Sequence, residues 1–326
     1  MERALGPLTL GTWPTPLEPA RRLSVELGLL ADDLWIKRDD LTGLGGGGNK
    51  VRKLQHTCAA AIAKGATTLI TCGAAQSNNA RLTAAAGAHL GLDVILVLAG
   101  DPDGPTAGNV ALDGLLGATV VWAKDADDIE MQAEAEALAR RLAAKGVVAE
   151  VLPYGGSSVE GARGYVDGGR ELLEQAPDLE HVVVAVGSGG TMAGLVHKLG
   201  AERVLGVHTG AVADPRSRVQ ALVDGLADPG RSSRERPSLR LRLDQVGDGY
   251  SHLTPESRRA LLAAARTEGI LLDPVYTGRA LAGLKAEIAE GAIRPGQRTV
   301  FLHSGGVPGL FGLADLGSFA PRSATT

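Results

Sequence analysis

The chain has 326 residues, a formal net charge of −4, a pI near 6.0 and 44% hydrophobic residues. A single hydrophobic core stops growing at about 250–300 residues, so this length predicts two lobes. A slightly acidic chain with only 3% aromatic residues lacks the basic, aromatic-rich surface that binds nucleic acid or an anionic membrane, which excludes those partners.

The two cysteines, Cys58 and Cys72, do not have the spacing of a metal site and are too few for a disulfide scaffold. The N-terminal segment lacks the basic start and apolar stretch of a signal peptide. No apolar run reaches the roughly 18 residues that a transmembrane helix needs. We therefore expect a cytoplasmic protein in a reducing compartment, without a metal site.

Short apolar runs alternate with Ala- and Leu-rich helical patterns along the whole chain. In the first half, strands are predicted at 67–73, 93–100, 119–123 and 147–153, and helices at 79–91, 109–117, 129–146 and 157–176. In the second half, a strand, a glycine loop and a helix cover 181–200, a strand covers 203–210, helices cover 254–269 and 280–291, and a strand with a glycine loop covers 298–306.

This alternation predicts an α/β protein with mainly parallel sheets flanked by helices. The segment 227–240 is polar, charged and rich in proline and glycine, which predicts an exposed connection.

Four consecutive glycines at 45–48 precede Asn49 and Lys50 and then a helical stretch. Glycine allows positive φ and close approach of a ligand to the backbone. A lysine in a pocket beside such a turn can have the lowered amine pKa that Schiff-base chemistry requires. By spacing alone Lys50 could equally be a surface lysine, and Lys37 and Lys53 are competing candidates.

A polar cluster of Gln76, Ser77, Asn78 and Asn79 stands between a predicted strand and the helix that follows it. Unpaired amides at a helix start bind anions, and serine or asparagine there can contact a ligand. The same residues can also simply cap the helix, so the motif alone leaves both interpretations open.

A second glycine turn, Gly187-Ser188-Gly189-Gly190-Thr191, connects a predicted strand to a helix. Backbone amides, two hydroxyls and the helix dipole there predict a phosphate site. A dinucleotide turn is the alternative. However, the next predicted strand ends in Thr209 and Gly210 instead of the acidic residue that binds a ribose. The lysine that ends a nucleotide P-loop is also lacking.

Two late motifs, DPVYTGRA at 273–280 and FLHSGG at 301–306, place Tyr276 before a helix and Ser304 at the end of a strand. Each is weak evidence by itself. Together with GGNKVRKL, QSNNAR and GSGGTMAGL, however, they occur in one order along nearly the whole chain. This set resembles the fold-type II pyridoxal 5′-phosphate (PLP) enzymes, in the branch of D-cysteine desulfhydrase and 1-aminocyclopropane-1-carboxylate (ACC) deaminase.

The resemblance implies a two-lobed fold like that of the tryptophan synthase β-subunit, with a larger PLP-binding domain at 1–48 and 162–326 and a smaller α/β domain at 49–161. It implies that Lys50 holds PLP as a Schiff base and later moves a proton, and that Asn78 contacts the ring hydroxyl. Ser304 would bind the pyridine nitrogen. The residues implied to hold the phosphate are Gly187, Ser188, Gly189, Gly190 and Thr191. A homodimer is also implied.

On the substrate side, the resemblance implies that Ser77, with Gln76, Asn78 and Asn79, binds the carboxylate of a small amino acid. Tyr276 and Tyr250, the latter in VGDGYSHL, are the implied catalytic tyrosines near the ring and the substrate. Gly155 and Gly156, in PYGGSS, are implied to line the site.

Three positions depart from the deaminase pattern. Thr277 stands where ACC deaminases have a glutamate facing the pyridine nitrogen, and Ser304 stands where they have an apolar residue. A neutral hydroxyl leaves the pyridine largely unprotonated, which suits α,β-elimination better than opening a three-membered ring. Asn79 replaces both the histidine of desulfhydrases and the glutamine of deaminases, which leaves the substrate open.

The resemblance and these departures favour a D-cysteine desulfhydrase-like lyase that releases pyruvate, ammonia and sulfide. The alternatives within PLP chemistry are an ACC deaminase, a lyase acting on L-cysteate or 2,3-diaminopropionate, and a racemase. Outside it, the alternatives are a nucleotide-binding oxidoreductase and a cofactor-binding protein without turnover.

Overall fold

The structure is a computed structural model that describes residues 6–227, 238–314 and 316–319. Most of the predicted connection at 227–240 lies outside these residues. The strands are β1 (Leu17–Pro19), β2 (Leu34–Arg38), β3 (Thr68–Ala74), β4 (Asp93–Ala99), β5 (Thr119–Trp122), β6 (Ala149–Val151), β7 (His181–Val186), β8 (Val204–His208), β9 (Arg240–Arg242) and β10 (Thr299–His303).

The helices are α1 (Arg21–Leu27), α2 (Lys50–Ala63), α3 (Asn78–Leu90), α4 (Asn109–Leu115), α5 (Asp128–Ala143), α6 (Val159–Gln175), α7 (Gly190–Leu199), α8 (Pro215–Leu226), α9 (Pro255–Glu268), α10 (Thr277–Ala289) and α11 (Val307–Leu310). Side-chain caps and positive-φ glycines set many of their ends. Ser158 caps α6 through Gly161 N–H, and Thr254 caps α9, which ends at Gly269 with φ +70°. No helix in the described part of the chain is long and apolar enough to cross a membrane.

Two sheets organise these elements. One has six strands in the order β1-β2-β10-β7-β8-β9, and the other has four in the order β5-β4-β3-β6. All pairs are parallel except β1 with β2, so the prediction of mainly parallel sheets flanked by helices is confirmed. The four-stranded sheet lies within the predicted smaller domain at 49–161, and the other sheet is built from strands outside it.

Each sheet is covered by helices on both faces. In the six-stranded sheet, α1, α9 and α10 enclose one buried apolar cluster, and α6, α7 and α8 enclose the other. In the four-stranded sheet, α2 and α3 cover one face and α5 covers the second. Strands buried on both faces read as continuous apolar runs, as HVVVAV in β7 does. Ligand sites in such parallel sheets lie at the carboxyl ends of the strands.

Candidate active site

A cavity opens where the carboxyl ends of β3, β7 and β10 face one another across the two sheets. Most of the site residues predicted from the sequence meet in its wall. These are Lys50, Ser77, Asn78, Asn79, Gly155, Gly187, Ser188, Gly189, Thr191, Tyr250, Tyr276 and Ser304. Segments far apart in the chain therefore converge on one site.

Lys50 is the first residue of α2 and is separated from the glycine turn by Asn49 alone. The turn requires glycine, since Gly47 has φ +75° and a Cβ there would lie 1.9 Å from the carbonyl oxygen of Asp40. The amine of Lys50 donates to the carbonyl oxygen of Gly155 at 2.8 Å. Burial lowers its pKa from 10.5 to about 8, so a neutral, nucleophilic amine is accessible near neutral pH.

Lys53 also lines the cavity, one turn further along α2. Its Nζ lies 3.0 Å from Ser157 Oγ and 3.4 Å from the carbonyl oxygen of Gly155. Burial, and then repulsion by Lys50, holds the pKa of Lys53 well below its usual range. Sequence reasoning named Lys53 only as a rival to Lys50. Its spacing of three residues from Lys50, on one face of a helix, was the available signal for a joint role.

The third candidate lysine, Lys37, is in a different place. It is buried in β2, where its amine donates to Glu171, to Gln175 Oε1 and to the carbonyl oxygen of Thr15. Lys37 does not contribute to the cavity wall, so the structure leaves Lys50 and Lys53 as the amines of the site.

The second glycine turn leads from β7 into α7, which begins at Gly190 without a side-chain cap. Gly190 N–H donates to Ser157 Oγ at 3.0 Å, and Ser157 Oγ lies 2.7 Å from Ser188 Oγ. A Cβ on Gly190 would lie 2.7 Å from Ser157 Oγ and 3.0 Å from Lys53 Nζ. Hydroxyls, backbone amides, a helix start and the Lys53 amine thus surround a space that suits a phosphate group.

The start of α3 supplies amides and a hydroxyl to the opposite wall. Ser77 Oγ accepts from Ala80 N–H at 3.1 Å, so this residue caps the helix as well as lining the cavity. Asn79 Nδ2 donates to Thr71 Oγ1 at 3.0 Å, and its buried Oδ1 has no hydrogen-bond partner among the described residues.

Three predicted site residues, Gln76, Gly156 and Gly190, are not among the residues that line the cavity. The Gln76 side chain instead donates to the carbonyl oxygen of Ala107 and accepts from Asn109 N–H, both at 2.9 Å. Gly156 is buried behind Gly155, where a Cβ would lie 2.8 Å from Asn79 Oδ1. The geometry therefore places Gln76 and Gly156 as supports of the wall and does not bring them to a bound molecule.

Tyrosines form the side of the cavity near α10. Tyr276 is the residue before α10, and its hydroxyl is hydrogen-bonded to that of Tyr250, with the rings packed edge to face at 6.0 Å. Tyr154, which sequence reasoning did not select, also lines the cavity. Burial raises the pKa of all three phenols, so they are neutral donors at physiological pH.

Ser304 follows β10 and is 8% exposed at the cavity wall. Thr277, by contrast, is fully buried and donates from Oγ1 to Asp273 Oδ1 at 2.6 Å, within the start of α10. Every polar side chain that the described residues contribute to the cavity is a hydroxyl, an amide or a lysine amine. The cavity wall at Ser304 is therefore neutral.

These residues fit PLP. The amine of Lys50 suits its aldehyde, the turn at 187–191 with Lys53 suits its phosphate, and the neutral wall suits its ring. The fold and the site define a fold-type II PLP enzyme.

The family model described as pyridoxal-phosphate dependent enzyme matches residues 8–305. The chain also resembles a solved structure described as an ACC deaminase homologue, at 36% identity and a TM-score of 0.87, covering 96% of this chain and 95% of that one. The protein belongs to the PLP-dependent enzymes, in the family of ACC deaminase and D-cysteine desulfhydrase.

More distant structures share the fold. Threonine deaminase isoform 2 from Solanum lycopersicum is 19% identical with a TM-score of 0.66, covering 93% of this chain and 84% of that one. A threonine deaminase from T.th. is 22% identical with a TM-score of 0.65, covering 90% and 92%. The predictions of PLP as cofactor and of an enzyme acting as a lyase or deaminase are confirmed.

Proposed function

We propose that the protein catalyses α,β-elimination on a small amino acid, in the manner of a D-cysteine desulfhydrase, and releases pyruvate, ammonia and sulfide. The observation that carries this proposal is the neutral hydroxyl of Ser304 at the end of β10, in a cavity wall without a carboxylate among the described residues. A pyridine nitrogen beside a hydroxyl stays largely unprotonated. An unprotonated ring is a weaker electron sink. It therefore supports elimination of a good leaving group better than reactions in which the ring must hold a full negative charge.

Bound PLP would supply an electron sink for the bond that breaks at the substrate α-carbon. Lys50 Nζ is the proposed base that removes the α-proton, since its pKa is lowered to about 8 and it lies in the cavity wall. The electron pair of the Cβ–S bond then leaves with sulfur. The hydroxyls of Tyr276 and Tyr250, which are hydrogen-bonded to each other in the cavity wall, are the proposed proton donors to the departing thiolate. The resulting 2-aminoacrylate hydrolyses to pyruvate and ammonia.

Ser77 and Asn79 are the proposed binding groups for the substrate carboxylate, because they lie at the start of α3 in the cavity wall, and Asn78 beside them is the proposed contact to the ring hydroxyl of PLP. The helix dipole adds a favourable field for an anion there. Gly155 completes the pocket, since its carbonyl oxygen accepts from Lys50 and Lys53.

The test compares the wild-type enzyme with Lys50→Ala. The variant should lose the near-visible absorption band of bound PLP, the borohydride-dependent label on residue 50, and the release of sulfide and pyruvate. Lys37→Met is the matched control, since that buried lysine lies away from the cavity. Turnover by Lys50→Ala at the wild-type rate would refute the assignment.

A panel of D- and L-cysteine, ACC, L-cysteate and 2,3-diaminopropionate then identifies the substrate. ACC deaminase is the second candidate, favoured by the similarity to the ACC deaminase homologue. It gives 2-oxobutanoate and ammonia without sulfide, and a racemase gives the enantiomer without a 2-oxo acid. A homodimer remains a prediction from the resemblance, and a cytoplasmic location remains a prediction from the cysteines and the N-terminal sequence; light scattering of the purified enzyme tests the first.

A further inference from the structure

Arg81 is a fully buried arginine on α3, one turn beyond Asn78. Its Nη2 donates to the carbonyl oxygen of Gly47 at 2.8 Å, in the glycine turn before Lys50. Its Nη1 donates to Asn78 Oδ1 at 3.2 Å and to Asn109 Oδ1 at 3.0 Å. One guanidinium therefore connects the turn that carries Lys50 to an asparagine of the cavity wall, without lining the cavity itself.

The hydrogen bonds around Arg81 determine which way both asparagine amides point. A guanidinium has only donors, so the atoms of Asn78 and Asn109 that face it must be oxygens. Asn109 Nδ2 in turn donates to the main-chain oxygen of Gln76 at 2.8 Å and to Asn78 Oδ1 at 3.1 Å. A main-chain oxygen can only accept, so this second contact agrees with the first.

Asn78 Oδ1 thus accepts two hydrogen bonds on the side away from the cavity. The remaining polar atom of the side chain, Nδ2, makes no hydrogen bond to the described residues, and Asn78 lines the cavity. The atom that Asn78 can offer to a bound molecule is therefore a donor.

We propose that Arg81 is a positioning residue that holds Asn78 so that Nδ2 donates to the ring hydroxyl of PLP, and that the site thereby favours the hydroxyl in its deprotonated form. The inference rests on the proposed contact between Asn78 and the ring. A hydrogen bond to an oxyanion is about twice as strong as one between neutral groups, which gives the preference its physical basis.

Asp113 supplies a control for the charge of Arg81. It is fully buried, and neither carboxylate oxygen has a hydrogen-bond partner among the described residues. Burial raises the pKa of Asp113 to about 7, so Asp113→Asn removes the part of its negative charge that is present near Arg81 at neutral pH and breaks no hydrogen bond to Asn78. We expect this variant to bind PLP like the wild type.

The first test exchanges the donor for an acceptor. In Asn78→Asp, one carboxylate oxygen keeps the contact with Arg81 and the other replaces Nδ2. Titration of the cofactor-free variant with PLP should show an affinity about 10- to 100-fold below wild type, with a shifted absorption maximum. Asn78→Ala should bind at least as well as Asn78→Asp. Wild-type affinity in Asn78→Asp would overturn the proposed orientation.

The second test asks whether Arg81 acts through Asn78. Arg81→Met should weaken PLP binding in the wild-type background and cause little further loss in the Asn78→Ala background. An equal loss in both backgrounds would show a merely structural role and overturn the proposal. If Arg81→Met does not fold, Asn109→Leu removes one of the two donors to Asn78 Oδ1, and the same comparison is made with that variant.

These measurements need no turnover. An enzyme that opens ACC instead of eliminating sulfide gives the same binding results, so failure of the proposed reaction and failure of this inference are distinguishable.

Discussion

The Lys50 amine should make the stability of the cofactor-free protein depend on pH. Its pKa is lowered from 10.5 to about 8 because the amine is buried, with a smaller opposing effect from its hydrogen bond with Lys53. Below pH 8 the folded state holds a charged amine in a buried environment that disfavours charge, and the full loss of folding stability is present. As pH rises from 8 towards 10.5, the unfolded chain still binds the proton and the folded protein does not, so stability increases.

The size of the effect follows from the pKa values. The full cost is about 3 kcal/mol, at 1.36 kcal/mol for each pH unit between the two values. Between pH 7 and 9.5, cofactor-free wild-type protein should gain about 2 kcal/mol relative to Lys50→Met. Removal of Lys50 also relieves the repulsion that lowers the pKa of Lys53, which flattens the pH dependence of the variant further.

The assay is urea unfolding of the cofactor-free proteins at several pH values. Lys64→Met is the matched control, because Lys64 follows α2 and its side chain is 61% exposed. The control should follow the wild-type pH dependence. If Lys50→Met and wild type instead change in parallel over this range, burial does not favour the neutral amine, and the argument for a nucleophile at neutral pH fails.

Two further predictions test the ring environment and the packing of the larger sheet. Ser304→Asp should protonate the bound ring, change its absorption spectrum and lower the ratio of sulfide release to racemisation; an unchanged product ratio at full PLP content would contradict the proposed role of the hydroxyl. Gly194→Ala should destabilise the protein by about 1–3 kcal/mol, because the new Cβ would lie 2.3 Å from the carbonyl oxygen of Ala162 and 2.6 Å from Tyr165 Cβ. Gly114→Ala, which meets no atom within 4 Å, should change stability by less than about 1 kcal/mol in denaturant unfolding, and a similar loss in both would refute the packing argument.

The elements predicted best were those that are buried and carry local end signals. The strand predicted at 67–73 is β3, Thr68–Ala74, and the helix predicted at 254–269 is α9, Pro255–Glu268. The edge strands β1 and β9 were not predicted, because their segments lack the apolar run that marked the equally short β6 and their pairing depends on neighbours distant in the chain. The helix α8, Pro215–Leu226, was also missed, although Asp214 and Pro215 give a start signal of the same type.

For the site, the sequence indicated the residues that stand at strand ends and helix starts, since a parallel fold brings these together. The three-residue spacing of Lys50 and Lys53 was a signal for a joint role, but the places of Lys53 and Tyr154 in the wall depend on how α2 and the segment at 154–156 pack against each other. The orientation of the Gln76 side chain could not be predicted either, because it is set by contacts with residues 107–109.

The surroundings of the two lysines of the site favour different protonation states for their amines. Their amines share the carbonyl oxygen of Gly155, and burial in a wall without carboxylates among the described residues disfavours charge on both at once. The Lys53 amine lies beside the start of α7, so a phosphate bound there, as proposed, would favour the charged form of Lys53 more than that of Lys50. A charged Lys53 in turn disfavours protonation of Lys50. A bound anion would therefore help to keep Lys50 neutral, which is the form that the proposed reaction requires to attack the cofactor aldehyde and to accept the α-proton.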